Sequence, residues 1–196
     1  MSRSQPVSTA NATGVTRTVK PPCQIDAKAV VSEKAILAGV HPITIGANSA
    51  LHPFARIDST HGPVTIGEFC IIAERASVGL VRPQTAATHI HIHDYVSIET
   101  GAIVESSAVG KASTIGPFAA LSSASQTGQF CKISAFSKLA SNEALPNFTV
   151  VMDDGLHRID QTTLTRSDIQ QLKLKGQKMH LDTLRRLIPT NIAKWQ

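Results

Sequence analysis

The sequence predicts an all-β solenoid of about seven triangular coils, followed by one α-helix. Three observations carry this prediction. An aliphatic residue recurs every six positions, a small residue follows it four positions later in almost every unit, and near the carboxyl terminus the period changes to that of a helix. A period of six fits neither the 3.6-residue turn of an α-helix nor the two-residue alternation of a hairpin array. Repetition at a fixed period is typical of a solenoid.

Twenty positions carry the six-residue repeat, and only Thr127 among them is not aliphatic. Short strands that turn a corner after each unit would point these residues inward and stack them at about 4.8 Å, the spacing between hydrogen-bonded strands. Small residues such as Ala29, Ser49 and Cys70 would then fit inside the corners. The twenty positions are Ile25, Val31, Leu37, Ile45, Leu51, Ile57, Ile66, Ile72, Val78, Ile92, Ile98, Val104, Val109, Ile115, Leu121, Thr127, Ile133, Leu139, Leu145 and Val151.

This spacing resembles that of the hexapeptide-repeat family, whose members fold as left-handed parallel β-helices. The resemblance runs from Ile25 to Val151 and so covers most of the chain. It implies the left hand of the helix, which the spacing alone does not reveal.

The chain divides into five segments by period and composition. We expect a disordered tail over 1–20, the β-helix over 21–155, a linker over 156–164, an amphipathic helix over 165–188 and a second tail over 189–196. The first tail is rich in Ser, Thr and Ala and has no acidic residue, so a mitochondrial transit peptide is the alternative to simple disorder.

The predicted carboxy-terminal helix has apolar residues at helical spacing. Thr165 and Asp168 have the spacing of a capping box, and Pro189 would end the helix. We expect the helix to pack against the prism and to cover its exposed strand edges. Contact with a partner protein is the alternative role, and it is compatible with the first. The predicted apolar side consists of Ile169, Leu172, Met179, Leu184, Leu187 and Ile188, and the predicted polar side of Lys175, Lys178, His180, Asp182 and Arg185.

Composition argues against several function classes. The net charge of +5 is modest and its basic residues cluster at the two ends, so we expect no nucleic-acid partner. No run of about twenty apolar residues exists, so we expect no membrane insertion. The three cysteines include no Cys-x-x-Cys, and Cys70 and Cys131 occupy small-residue positions, which favours a packing role over a disulfide framework or a zinc ribbon.

Many hexapeptide-repeat proteins are enzymes, chiefly acyltransferases with a catalytic histidine and gamma-class carbonic anhydrases with three zinc-binding histidines. The gamma class shares a histidine pair five residues apart, and no two of the eight histidines here have that spacing. His52 and His93 follow different strands of their coils and should lie on different walls. The Gly-x-Pro-Ala segment that closes the repeat of acyltransferases is also missing from 145–155, although a general base could lie at His41, His61 or His89.

The period is interrupted after Leu37, Ile57 and Val78, each time after the third strand, which predicts three loops on one edge of the prism. These loops carry His41, His61 and the triplet His89, His91 and His93, which a zinc, nickel or copper ion could bridge. No acidic residue is placed to orient the rings, and the triplet alternates with aliphatic residues as in a half-exposed strand. We therefore expect no catalytic residue, no cofactor and no metal site.

Several segments resemble the pointed-end subunits of dynactin, a non-enzymatic branch of the hexapeptide-repeat family. They are 89–101 (HIHIHDYVSIETG), the five-residue step from Val104 to Val109, the ending at 145–158, and Arg185 to Asn191. The resemblance implies a cytoplasmic, cytoskeletal protein that pairs with a sister β-helix subunit. It also implies contact with an actin-related protein and a scaffold subunit, in support of dynein-based transport. The alternative is a trimeric hexapeptide-repeat enzyme, either carbonic anhydrase-like or an acyltransferase.

Overall fold

The computed structural model describes residues 20–79, 89–152 and 155–195. Within these residues the chain winds through twenty parallel strands, which make six complete coils and two strands of a seventh. Successive strands enter three different sheets in turn, and we call these sheets walls 1, 2 and 3. The prediction of an all-β solenoid with about seven coils is confirmed.

The three walls are built from very short strands. Wall 1 consists of β1 (Cys23–Ile25), β4 (Ile43–Ile45), β7 (Val64–Ile66), β10 (Ile90–Ile92), β13 (Ala108–Val109), β16 (Gln126–Thr127) and β19 (Ala144–Leu145). Wall 2 consists of β2 (Val30–Val31), β5 (Ala50–Leu51), β8 (Ile71–Ile72), β11 (Ser97–Ile98), β14 (Thr114–Ile115), β17 (Lys132–Ile133), β20 (Thr149–Val151) and the antiparallel β21 (His157–Ile159). Wall 3 consists of β3 (Ile36–Gly39), β6 (Arg56–Ser59), β9 (Ser77–Gly79), β12 (Ile103–Val104), β15 (Ala120–Leu121) and β18 (Lys138–Leu139).

The core is the predicted ladder. Strand register places repeat position over repeat position, for example Ile25 beside Ile45 and Ile45 beside Ile66 along wall 1. All twenty repeat residues are at most 7% exposed. At about 1.5–3 kcal/mol for each fully buried aliphatic side chain, this ladder is the main favourable contribution to folding.

Small side chains line the inside of the corners, as predicted. The Ser49 hydroxyl donates to the Gly67 carbonyl (2.7 Å) and accepts from the Cys70 backbone N–H (2.9 Å), which links successive coils. Cys70 and Cys131 are buried, and burial raises the pKa of the Cys70 thiol to about 12, so both cysteines act in packing. Ala108 is an exception, because the five-residue step before Val109 places it on the outer face of β13.

The carboxy-terminal region begins its helical structure earlier than predicted. The expected linker contains β21 and the start of a short helix, α1 (Gln161–Thr165), which Asp160 caps by accepting from the Thr163 N–H (3.0 Å). The long helix, α2, spans Ser167–Leu187. The predicted capping box is wrong, because Thr165 lies inside α1 and bonds to Gln161 (2.7 Å), while the residue before α2 makes no side-chain cap.

The face of α2 that packs on wall 2 agrees with the prediction only in part, at Leu184 and Ile188. Leu181, Leu184 and Ile188 are buried against Val30, Ala50 and Ile71, on the outer surface of the first three coils. Three residues of the predicted apolar side point to solvent instead, and their exposures are 68% for Leu172, 63% for Met179 and 70% for Leu187. The helix thus has two apolar stripes, and only one of them packs against the described part of the chain.

Helix α2 runs back along the whole prism. Lys173, near its start, donates to the Ala112 carbonyl (2.6 Å) on the fifth coil. Gln177 donates to the Phe69 carbonyl (2.7 Å) on the third coil, and Arg185 donates to Asn48 (2.7 Å) on the second. The helix is therefore a strap that returns the chain from the last coils to the first.

The residues after α2 close the first coil. Thr190 pairs with Ser32 in an antiparallel bridge, and its hydroxyl bonds to both the N–H and the carbonyl of Val31 (3.1 Å each). A 3-10 helix at Ile192–Lys194 then places Trp195 in the main core cluster. Because β21 covers the last strand of wall 2 and Thr190 covers the first, both edges of this wall have partners.

Most of the expected amino-terminal tail lies outside the described residues, as does residue 196. The loop between β9 and β10 is described only at Gly79 and from His89 onward. The two hypotheses for the tail, disorder and a transit peptide, therefore stay predictions.

Candidate interaction surfaces

The three interruptions of the repeat fall on one edge of the prism, as predicted. His41 lies between β3 and β4, His61 between β6 and β7, and His89 directly before β10, so all three are in connections from wall 3 to wall 1. His52 follows β5 on wall 2 and His93 follows β10 on wall 1, which confirms that they belong to different walls.

The histidine triplet forms a stack of rings. The centroids of His91 and His93 are 4.2 Å apart, and those of His89 and His91 are 5.8 Å apart. The Nε2 atom of His89 lies 2.8 Å from the Thr65 hydroxyl. Burial, and then His93 and His89, lower the pKa of His91. Within residues 20–79, 89–152 and 155–195, no three His, Cys, Asp or Glu side chains are grouped so that they could hold a metal ion.

A hollow of about 530 Å³ opens beside the first coil. Ile36, Val40, Arg56 and Trp195 are among its lining residues, which include no His, Cys, Asp or Glu.

Aromatic residues occupy a special backbone position. All six Phe residues and the single Tyr have φ between 54° and 63°, in the left-handed region, at corners between walls. This region costs roughly 1–2 kcal/mol for a residue with a side chain. The sequence carried the signal, because each of these residues follows a repeat position by three. Sequence reasoning missed it by attending only to the large and small positions of the repeat.

The corner between walls 1 and 2, which we call corner 1, is covered by α2. Phe69 stacks on Tyr95 (4.9 Å between centroids), and the Nζ atom of Lys178 lies 4.9 Å from the Phe69 centroid and 5.6 Å from that of Tyr95. Farther along this corner, Phe130 stacks on Phe148 with ring centroids 5.5 Å apart. The Nζ atom of Lys173 lies 6.0 Å from the Phe130 centroid. Lysine side chains of the strap thus lie over aromatic faces, an arrangement that is favourable by about 0.5–2 kcal/mol for each pair.

The corner between walls 2 and 3, which we call corner 2, has similar rings, and among the described residues no lysine of α2 lies over them, although the Nζ atom of Lys34 lies 5.8 Å from the Phe54 centroid. Phe118 and Phe136 stack with centroids 5.3 Å apart, yet they are 56% and 65% exposed. Gly101 lies beneath this stack, and a Cβ atom there would come within 2.5 Å of the Phe118 ring. Ile103, on the neighbouring strand of wall 3, is 46% exposed. Corner 2 therefore presents an uncovered aromatic and aliphatic surface.

His52 directly follows β5, in the connection from wall 2 to wall 3, and it interacts electrostatically with His180 of α2. Its Nε2 atom is buried and has no hydrogen-bond partner among the described residues. Burial lowers the pKa of His52 from its ordinary value of 6.5, and His180 lowers it further, whereas Glu74 and Glu99 oppose the shift.

The lowered pKa of His52 predicts a loss of stability in mild acid. Because the folded-state pKa of His52 is below the unfolded value, the unfolded chain binds the proton first as the pH decreases. The contribution of His52 to the free energy of unfolding is therefore complete above about pH 6.5 and is lost as the pH decreases through the folded-state pKa. In urea unfolding measured from about pH 7 to 5, His52→Gln should show a shallower decrease than the wild type. His61→Gln, in a loop remote from α2, serves as control, and equal slopes for His52→Gln and the wild type would contradict the prediction.

No helix in the described part of the chain is long and apolar enough to cross a membrane.

Comparison with known proteins relates the chain to one curated protein and to solved structures of the same fold. No protein-family model matches. Dynactin subunit 6 of Nematostella vectensis is 24% identical over 175 residues, which cover 85% of this chain and 88% of that protein.

Two solved structures share the architecture. A Bacillus cereus protein provisionally named an acetyltransferase has a TM-score of 0.70 and 15% identity, with 86% of this chain and 97% of that chain covered. A hexapeptide transferase family protein from Anaplasma phagocytophilum has a TM-score of 0.66 and 13% identity, with coverage of 87% and 96%. At such identities the likeness concerns the fold alone. The chain therefore has the β-helix fold of hexapeptide-repeat proteins, and along most of its length its sequence resembles dynactin subunit 6.

Proposed function

We propose that the protein is a non-enzymatic structural subunit of the pointed-end complex of dynactin. The observation that carries this proposal is the similarity to dynactin subunit 6 over 175 residues, a longer stretch than the run from Cys23 to Val151. The similarity therefore extends beyond the six-residue repeat, which all proteins of this fold share, and includes part of the flanking regions.

In this role the protein pairs with a sister β-helix subunit and contacts an actin-related protein and a scaffold subunit. It acts in the cytoplasm, where it supports dynein-based transport along microtubules and the attachment of cargo. The rigid walls suit this work, because a preformed surface binds a partner without a large cost of ordering. Uncovered apolar surface at corner 2 and on the outer stripe of α2 is consistent with a protein that works inside an assembly.

Affinity purification tests this proposal directly. The full chain, tagged and expressed in its native cells, should recover the sister β-helix subunit and the other pointed-end components, identified by mass spectrometry. Cells without the tagged chain serve as control. Light scattering of the purified chain should give a monomer that forms a one-to-one complex when the sister subunit is added.

A homotrimer with stoichiometric zinc or with coenzyme A-dependent acetyl transfer would overturn the proposal in favour of the enzymatic alternative. Recovery of no dynactin component from native cells would overturn it as well.

A further inference from the structure

Two histidines lie at the margin of the surface on which α2 packs. His52 follows Leu51, which points into the core, and because side chains alternate along a strand it lies on the same outer face of wall 2 as Ala50. Ala50 is one of the residues that α2 covers. His180 directly precedes the buried Leu181 in α2 and interacts electrostatically with His52. The two imidazole rings therefore lie on opposite sides of the contact between strap and wall.

The surroundings of His52 suit only its neutral ring. Its Nε2 atom is buried and has no hydrogen-bond partner among the described residues. A protonated imidazole carries an N–H at both ring nitrogens, so protonation would bury a charged donor without an acceptor. Positive charge on His180, across the contact, opposes that protonation further. A proton on His52 is thus unfavourable as long as the strap lies over it.

The charged groups that act on His52 come from α2 and from two neighbouring coils. His180 belongs to α2, Glu74 lies between β8 and β9, and Glu99 lies between β11 and β12. Both glutamates favour the protonated ring, although the Glu99 carboxylate also accepts from the Ser97 hydroxyl (2.8 Å). Burial is the larger effect, and the pKa of His52 is lowered despite the two carboxylates.

The chain from His180 to Trp195, which we call the closing segment, holds the first coil closed. It contains the strap residues buried on wall 2, the residue that pairs with Ser32, and the tryptophan of the main core cluster: Leu181, Leu184, Ile188, Thr190 and Trp195. The earlier part of α2 is held by separate contacts, which Lys173 and Gln177 make to backbone carbonyls. A displacement that begins at His180 is therefore passed to the closing segment first.

We propose that His52 and His180 form a proton-operated latch for the closing segment. Near neutral pH the neutral His52 ring lies beside α2, and the segment stays on the first coil. In mild acid, the proton on His52 favours an open form in which the segment separates from wall 2 while the β-helix stays folded. Opening exposes the outer side chains of Val30, Ala50 and Ile71 and frees the edge of β2. The latch is independent of the proposed function.

Linkage sets the sign and the size of the effect. His52 in the open form is free of the strap and titrates near its ordinary value of 6.5, whereas in the closed form its pKa is lower. The open form therefore binds the proton first as the pH decreases, and the closed form is favoured most above about pH 6.5. Between pH 7.5 and 5.5 the population of the open form should rise several-fold, by about tenfold at most.

The Val31 N–H group reports opening directly, because it donates to the Thr190 hydroxyl (3.1 Å). Amide hydrogen exchange of the full chain, corrected for the intrinsic pH dependence, should show its protection falling by the same factor from pH 7.5 to 5.5. Val31 should also exchange faster than Ile115 of the fifth coil, and low concentrations of urea should leave its rate unchanged, as expected for a local opening. Equal protection of Val31 and Ile115 would indicate exchange through global unfolding and would overturn the latch.

His52→Gln is the decisive variant, since it removes the titrating ring and keeps a polar side chain. Protection of Val31 in this variant should not change over the same pH range. His61→Gln, in a loop remote from α2, is the matched control and should respond like the wild type. A wild type without pH response, or a full response in His52→Gln, would overturn the latch.

His180→Gln tests the other half of the latch at an exposed position of the helix, where the substitution leaves the fold intact. Its pH response should be smaller than that of the wild type, because one of the two positive charges is gone, but should not vanish, because the burial of His52 remains. A response equal to that of the wild type would overturn the pairing of the two histidines.

Discussion

Trp195→Ala is expected to destabilise the protein by about 3 kcal/mol, the lower part of the range for removing a buried tryptophan. Trp195 belongs to the main core cluster and covers the ladder at the first coil, with Ile192 packed beside it. Its loss would expose the end of the ladder to water. Urea unfolding followed by circular dichroism should show the midpoint shift.

The sole tryptophan also reports on this contact in the wild type. Its fluorescence should be blue-shifted in the folded chain and should move to the red in the same transition that the backbone signal follows. Trp195→Phe is the matched control. It keeps much of the apolar volume and removes an indole N–H that has no hydrogen-bond partner among the described residues, so it should cost far less than alanine. Equal stability of Trp195→Ala and the wild type would show that the carboxyl terminus does not close the core.

Gly110→Ala is expected to cost about 3 kcal/mol, at the upper end of the usual range for overpacking. A Cβ atom at Gly110 would lie inside contact distance of the Gly128 carbonyl on the next coil. The neighbouring backbone cannot easily retreat, because the Gly110 N–H donates to the Thr127 carbonyl (3.0 Å) across the same gap. Thermal unfolding should show a lower midpoint.

Gly176→Ala provides the opposite case. Gly176 lies within α2, and nothing is found within 4 Å of the position where its Cβ would lie. Alanine there should stabilise the protein by roughly 0.5–1 kcal/mol through helix propensity. The two glycine variants should therefore move the midpoint in opposite directions. A loss of stability in both would indicate that the helix position, like the coil position, is sterically closed.

The β-helix was predictable because its cause is local and repeated. Each unit contains its own inward aliphatic residue and its own corner residue, so a hydrophobic period is enough to place every rung of the ladder. Even Thr127, the polar member of the ladder, is buried, and its hydroxyl accepts from the Gly110 N–H (3.1 Å).

The candidate surfaces were less predictable, because their character depends on what covers them. Phe69 and Phe118 occupy the same position in the repeat and have the same kind of backbone conformation. Only the path of α2 makes one a packing contact and leaves the other exposed. The histidines show the same limit. The placement of His41, His61 and His89 on one edge followed from the loops. The prediction was wrong for His91, which lies in β10, and for His93, which follows that strand, and the stacking of their rings required side-chain positions.

From the order of residues alone one obtains the coils, the ladder, the corners and the presence of a helix, because these follow from short-range periodicity and burial. The folded arrangement was needed to show which stripe of α2 packs inward, that Thr190 and Trp195 return to the first coil, and that corner 2 stays uncovered. These are contacts between residues far apart in the chain. A helix with apolar residues on two faces can dock by either face, and only the shape of the wall it meets distinguishes them.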